Sequence, residues 1–346
     1  MGSEMGGTQP PGIGTLHHGL LTRPTLAPGK RRKDGARGFC GRTARSLLTV
    51  LIALSSVAVA AQQSSVTTLK VNVKLVSVYV NVTDRNGAIV GGLTQNNFAV
   101  FEDGRPQKIA VFERVSQIPL NLTLAIDTSG SVSKDLKAEA DAAHNFARVI
   151  LRQQDQMSLM QFATDVSVLT PFTNKVSLID RGLRRLHTDF ATALYDAIVE
   201  GSDKLGTKEG RKALIIVSDG DDTVQESTYA EALEHALRNE VMIYSLIDVP
   251  IAASAGRDTG GEHALITLSE QTGGKYFYVN QGGLDAAFEH VSEDLRTQYL
   301  IGYYPRNQVP GVDFHRITVT IPRAAAGDFN IRYRTGYYAD TLEPAN

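Results

Sequence analysis

Asp127, Ser129 and Ser131 occupy alternate positions in Asp127-Thr128-Ser129-Gly130-Ser131, which offers one carboxylate and two hydroxyls within a single short loop. Gly130 lets that loop turn tightly, because a residue without a Cβ reaches backbone angles closed to others. A second carboxylate, Asp219, closes the apolar run Ala213-Leu214-Ile215-Ile216-Val217-Ser218 and is followed by Gly220, and Thr192 brings a third hydroxyl. Carboxylate and hydroxyl oxygens are hard ligands, so together they suit Mg²⁺ or Mn²⁺, with Ca²⁺ also compatible. Two aspartates neutralise a divalent ion and the hydroxyls add no charge. The ion would stay electrophilic and keep water at an open position.

These residues can act together only if separate elements bring them to one place. From Leu120 onward, short apolar runs at 122–126, 156–162, 213–218, 241–246 and 275–279 read as strands. They lack clean alternation, as strands covered on both faces do. Helical patterns lie between them at about 134–151, 176–186, 192–204, 228–239, 262–272 and 283–297. In the first, Leu136, Ala140, Ala143, Ala147 and Ile150 share one face, the spacing of a helix lying on a sheet. Strand–helix alternation of this kind predicts an α/β domain over 120–297 with a doubly wound, mostly parallel, Rossmann-like sheet. Asp127 and Asp219 then both stand at the carboxyl ends of strands, and Thr192 opens a helix. Ligands bind at that edge of such sheets.

The flanks read differently. Residues 69–75 alternate apolar and polar, and the phase continues through Val78, Val80 and Val82. Thr83-Asp84-Arg85-Asn86-Gly87 and Glu102-Asp103-Gly104-Arg105-Pro106 read as turns, with strands at 97–101 and 108–112. After residue 297 the chain returns to β character, and six of its twelve tyrosines fall beyond residue 295. A tyrosine cluster is either a ligand-stacking surface or, the more ordinary role, cross-strand packing on a small sheet. We expect the segments 69–116 and 298–340 to be antiparallel and to pack together as a small β-sandwich interrupted by the α/β insert.

The spaced residues resemble the metal-ion-dependent adhesion site of von Willebrand factor type A domains. That family's pattern is Asp-x-Ser-x-Ser, a later Thr and a later Asp-Gly, which fall here on Asp127, Ser129, Ser131, Thr192 and Asp219. The flanks, with Phe98-Ala99-Val100-Phe101-Glu102-Asp103-Gly104 and Thr335-Gly336-Tyr337-Tyr338, resemble the secreted VWFA-related proteins first named in Acidobacteria. The resemblance implies a non-enzymatic module that holds a divalent cation and captures an Asp or Glu of a protein partner. It also implies that the aspartates often act through bridging water. One departure stands out: Phe190-Ala191 precedes the Thr, where family members often have Gly-Gly.

Other readings of the same residues exist. Asp127 and Ser129 could cap the following helix. Ser129 could be a nucleophile, or a bound ion could activate water for hydrolysis, but no histidine lies near the three loops in sequence, apart from His187 five residues before Thr192. The site residues could also be metal-free parts of an envelope assembly. Asp221 and Asp222, with Asp165 and Asp189, read as solvated rim, and Asp196 as structural. Gly201 and Gly206 lack the lysine of a phosphate loop, since Thr207 follows.

Composition narrows the classes further. With 346 residues the chain exceeds one ordinary domain. Residues 1–45 hold eight Lys/Arg against Glu4 and Asp34, a balance of +6; with a whole-chain charge of −2, the remainder carries −8. An acidic body argues against nucleic acid as a partner. The single cysteine, Cys40, excludes an intramolecular disulfide or a cysteine zinc site, and the eight histidines show no metal-type spacing. Residues 1–61 read as a leader: a basic stretch, the apolar run 47–54, then Val57-Ala58-Val59-Ala60-Ala61 with a cleavage site after Ala60. The apolar run falls short of the ~20 residues that span a bilayer, so no permanent membrane span is expected after cleavage. Arg31-Arg32 lies too far upstream of it for a twin-arginine signal. The expected location is exported: periplasmic, cell envelope or secreted.

Overall fold

A computed structural model describes residues 74–339 except 115–116, 131–135, 221, 225, 249–258, 280–282, 307–312 and 323–327. The leader and Ser131 therefore lie outside the described residues. Everything described falls in one unit, Val71–Asn346.

The centre is β5 (Leu120–Asp127), in which every residue is buried. Its buried run follows from position: it has parallel partners on both sides and helices on both faces. The six-stranded sheet has the order β10-β9-β8-β5-β6-β7. Its members are β6 (Gln156–Phe162), β7 (Val166–Thr173), β8 (Arg211–Ser218), β9 (Val241–Ile247) and β10 (Tyr276–Tyr278). All neighbours run parallel except β7, which folds back antiparallel on β6. No apolar run predicts a strand at 166–173, where β7 forms.

Alternate residues of each strand serve opposite faces. Leu122, Leu124, Ile126, Ala213, Ile215 and Val217 pack with α1 (Leu136–Ile150), α2 (Val176–Leu183) and α6 (Gly283–Arg296). Ala125, Leu214 and Ile216 pack with α3 (Leu194–Gly206), α4 (Tyr229–Arg238) and α5 (Thr259–Thr272). On α1 the buried face is Glu139, Ala142, Ala143, Phe146, Ala147 and Ile150. Leu136 and Ala140 are only half-buried, so the face is turned from the one expected, and Phe146 stacks on Phe288 of α6.

The flanking strands form two four-stranded sheets. The first has the order β13-β1-β11-β4 and the second β14-β12-β2-β3. The N-terminal strands are β1 (Val76–Asp84), β2 (Ala99–Glu102), β3 (Arg105–Gln107) and β4 (Ile109–Arg114). The C-terminal ones are β11 (Tyr299–Tyr303), β12 (Phe314–Thr320), β13 (Phe329–Arg332) and β14 (Gly336–Tyr338). β11 pairs antiparallel with β1 and β4, and β12 with β2, so each sheet mixes strands from both ends of the chain. Val76, Val78, Val80 and Val82 of β1 meet Tyr299, Tyr303, Ile317, Val319 and Tyr337 in one core. Three of the tail's tyrosines are thus packing residues. Pro106, read as part of a turn, lies within the short strand β3 opposite Phe101; the turn itself is Asp103-Gly104.

The sandwich is locked to the α/β domain through buried polar groups. Asp294 of α6 accepts from the Tyr244 hydroxyl at 2.7 Å and from the Arg332 guanidinium, and its carbonyl accepts from Asn81 at 2.9 Å. No helix among the described residues is long and apolar enough to cross a membrane.

Candidate metal centre

β5 and β8 are neighbours, yet the chain leaves them toward opposite faces, β5 toward α1 and β8 toward α4. The loops at their carboxyl ends diverge and open a crevice. Asp127, last residue of β5, is fully buried, and Ser129 is 2% exposed. Asp127 Oδ1 accepts from the Ser129 amide at 2.9 Å and its Oδ2 from the Ser218 hydroxyl at 2.7 Å. Burial pushes the Asp127 carboxyl up to about 6, against the Ser129 and Ser218 hydrogen bonds, and the neighbouring Asp219 charge adds to the rise.

Asp219 follows directly on Ser218. Its Oδ1 is buried and has no hydrogen-bond partner among the described residues. The loop can turn there because Gly220 has φ +95, and a Cβ on Gly220 would come within 2.7 Å of the Gly261 backbone.

Thr192 is buried and lies two residues before α3, not at its start as the sequence reading has it. Its amide donates to Thr223 Oγ1 at 2.8 Å, and its carbonyl accepts from the Thr223 amide at 2.9 Å. Upstream in the same loop, the Asp189 amide donates to the Thr128 carbonyl at 3.0 Å. A closed circuit results: Asp127 to Ser218, the loop after β8 through Thr223 to Thr192, and back through Asp189 to Thr128. Asp127, Ser129, Thr192 and Asp219 thereby stand on three loops that bond one another directly. Ser131 is outside the described residues.

A buried carboxylate oxygen without a donor, beside a second buried carboxylate, is a costly arrangement unless a cation joins it. The oxygen-only donor set fits a hard divalent ion. Asp127, Ser129, Thr192 and Asp219 are the residues that would hold it.

The remaining acidic residues divide. Asp222, expected as solvated rim, accepts the Tyr195 amide at 3.3 Å in the first turn of α3. Asp196 accepts from Ser227. Asp165 is exposed, and Asp189 Oδ1 accepts the Phe190 amide at 2.8 Å. Asp221 is outside the described residues. His187 is exposed, with the Gln161 amide 3.1 Å from its ring nitrogens. Ser218 and Thr223 went unnoticed in the sequence; only the position of Ser218, a hydroxyl ending an apolar run beside Asp219, marks it.

A second group was also missed. Single ligand atoms of Glu102, Asp103 and His315 lie within 4.8 Å of one another. These atoms have other work. His315 Nδ1 is 2.7 Å from Asp103 Oδ2, and Glu102 Oε2 accepts from Tyr303 at 2.8 Å and Tyr337 at 3.0 Å. The group ties β2 to β11, β12 and β14.

An open α/β sheet with a hydroxyl- and carboxylate-lined crevice at its switch point defines the class of this domain. Residues 122–221 match the family model described as von Willebrand factor type A domain. Among solved structures it is similar to an aerotolerance-related membrane protein from Bacteroides fragilis, at 17% identity over 51% of this chain and 98% of that one, TM-score 0.42. It is similar also to BatB from Bacteroides thetaiotaomicron, at 18% identity over 51% and 97%, TM-score 0.42. A third is the vWF domain of the type V pili tip protein Mfa5 from Porphyromonas gingivalis, at 12% identity over 51% and 94%, TM-score 0.41. No curated protein matches the chain.

Proposed function

We propose that this chain is an exported, non-enzymatic protein-binding module that captures an acidic side chain of a partner through a divalent cation. The ligands in this reading are Asp127, Ser129, Ser131, Thr192 and Asp219, and Mg²⁺ is the preferred ion, with Mn²⁺ or Ca²⁺ compatible. When bound, the ion supplies an electrophilic coordination position that a partner's Asp or Glu can fill. The chain's own residues do the rest. Asp127 and Asp219 hold the charge, Ser218 fixes the orientation of Asp127, and Thr223 fixes the backbone of Thr192.

The observation that carries the reading is the buried Asp219 Oδ1, which has no donor among the described residues, next to buried Asp127. In favour of binding over hydrolysis, the exposed His187 ring is engaged by the Gln161 side-chain amide at 3.1 Å. Export rests on the leader-like residues 1–61. Membership in the VWFA-related Acidobacterial family rests on the Phe98 to Gly104 and Thr335 to Tyr338 motifs, whose Glu102 and Tyr337 bond each other at 3.0 Å.

The test is thermal unfolding in Mg²⁺ and in EDTA. The wild-type protein is expected to melt higher in Mg²⁺, and Asp127→Ala and Ser129→Ala are expected to lose that difference. A metal response unchanged in both variants refutes the proposal.

A further inference from the structure

Phe190 is 96% exposed, well above the 44–59% of Ile89, Val149 and Tyr304, the other large apolar side chains that stand out in solvent among the described residues. It stands on the loop that carries Thr192. That loop is pinned on both sides of the phenyl ring, through Asp189 to the Thr128 carbonyl at 3.0 Å and through the Ala193 amide to the Ala163 carbonyl at 2.8 Å. The Asp189 side chain holds the Phe190 amide itself at 2.8 Å. A fixed backbone therefore presents a large apolar ring to water, two residues from Thr192 at the rim of the crevice. Folding gains nothing from a ring that stays in water, since apolar stabilisation comes from area removed from it.

We propose that Phe190 is a specificity-determining contact: it packs against an apolar side chain next to the partner's acidic residue. The inference rests on the metal-dependent reading above and adds the class of sequence recognised, an exposed Asp or Glu with an apolar neighbour. The chemistry divides between the two parts of the site. Around the crevice stand Asp127, Asp219, Asp189 and Asp222, so an acidic partner is repelled unless a cation intervenes. The contact with the cation is open to every exposed carboxylate, and a carboxylate alone selects little. Phe190 supplies an uncharged, area-dependent term that only an apolar neighbour can satisfy. Covering one aromatic ring is worth roughly tenfold in affinity or more.

The probes are synthetic peptides of equal length and charge, each with one glutamate in a glycine-serine frame. In one set a leucine is moved through the positions on either side of the glutamate; in the reference peptide that leucine is serine. Binding is measured by calorimetric titration of the full chain in Mg²⁺ and in EDTA. For the wild-type protein in Mg²⁺, one leucine register is expected to bind roughly tenfold tighter than the reference. Phe190→Ser is expected to bring that ratio to about one while the reference peptide still binds, and Phe190→Leu to retain most of it. Equal affinity across the set, or a preference that survives in Phe190→Ser, overturns the inference and leaves the metal reading standing. Failure of every peptide to distinguish Mg²⁺ from EDTA overturns the metal reading and the inference with it.

Discussion

The Ser218 hydroxyl donates to Asp127 Oδ2 at 2.7 Å, joining the last residue of β8 to the last residue of β5. The bond joins neighbouring strands whose following loops diverge, so it sets the side-chain angle of Asp127 at the mouth of the crevice. Asp127 Oδ1 is held separately by the Ser129 amide.

Ser218→Ala removes the outer hydrogen bond without touching a proposed ligand. Partners that orient a ligand from behind typically contribute 10–100-fold in metal affinity. We expect the Mg²⁺ concentration for half-maximal thermal stabilisation to rise by about tenfold. The variant also deprives the Gly220 amide of the hydroxyl that accepts it at 3.0 Å, so stability in EDTA should fall by about 2 kcal/mol, two hydrogen bonds at their usual worth. A metal dependence indistinguishable from wild type would show that Asp127 is positioned without Ser218.

Asp219→Asn should have effects of opposite sign in the two conditions. Without metal, the Asp219 charge stands beside buried Asp127 and destabilises its ionised form. Neutralising Asp219 should stabilise the metal-free protein by on the order of 1 kcal/mol, about 2–4 °C in Tm for a chain of this size. With Mg²⁺ the variant lacks half of the neutralising charge and should gain little or nothing. Paired melts in EDTA and Mg²⁺ read both arms, and a variant less stable in EDTA contradicts the argument.

What the sequence discloses follows from how local each signal is. β5 and β8 are legible because burial on both faces writes an unbroken apolar run, and Asp127 and Asp219 are legible because each ends one. β7 escapes because Ser167, Thr170, Pro171 and Thr173 interrupt its apolar pattern in an edge strand that pairs only with β6. Thr192 reads as a helix start because threonine caps helices, yet Thr223, thirty-one residues away, holds its amide. The Asp222 contact with Tyr195 spans 27 residues and the Glu102 contacts with Tyr303 and Tyr337 span 201 and 235, and no local pattern encodes them.

At the junction between sandwich and α/β domain, Asp294 accepts from Tyr244 and Arg332, and burial with that carboxylate alongside pushes the Tyr244 hydroxyl well above its ordinary range. Asp294→Ala would leave a guanidinium and a hydroxyl without their acceptor. Breaking a buried pair from one side costs about 3–5 kcal/mol. We expect a loss of that size in urea unfolding, and a smaller loss for Arg332→Met, which removes the cation and keeps the Tyr244 hydrogen bond. Equal losses in the two variants would mean that Tyr244 contributes nothing to holding Asp294.

Glu102 offers the sharpest test of non-additivity. It is 3% exposed, and one oxygen, Oε2, receives both Tyr303 and Tyr337, from strands 201 and 235 residues away. Either tyrosine alone leaves that oxygen one donor, so Tyr303→Phe and Tyr337→Phe should each cost about 1 kcal/mol. The double variant strips Oε2 of both donors inside the sandwich core. The stability then lost should exceed the sum of the singles by about 1–2 kcal/mol. A double-mutant cycle by chemical denaturation measures the difference directly. Strict additivity would mean that water replaces the missing hydroxyls, and that the link between β2, β11 and β14 is carried by packing instead.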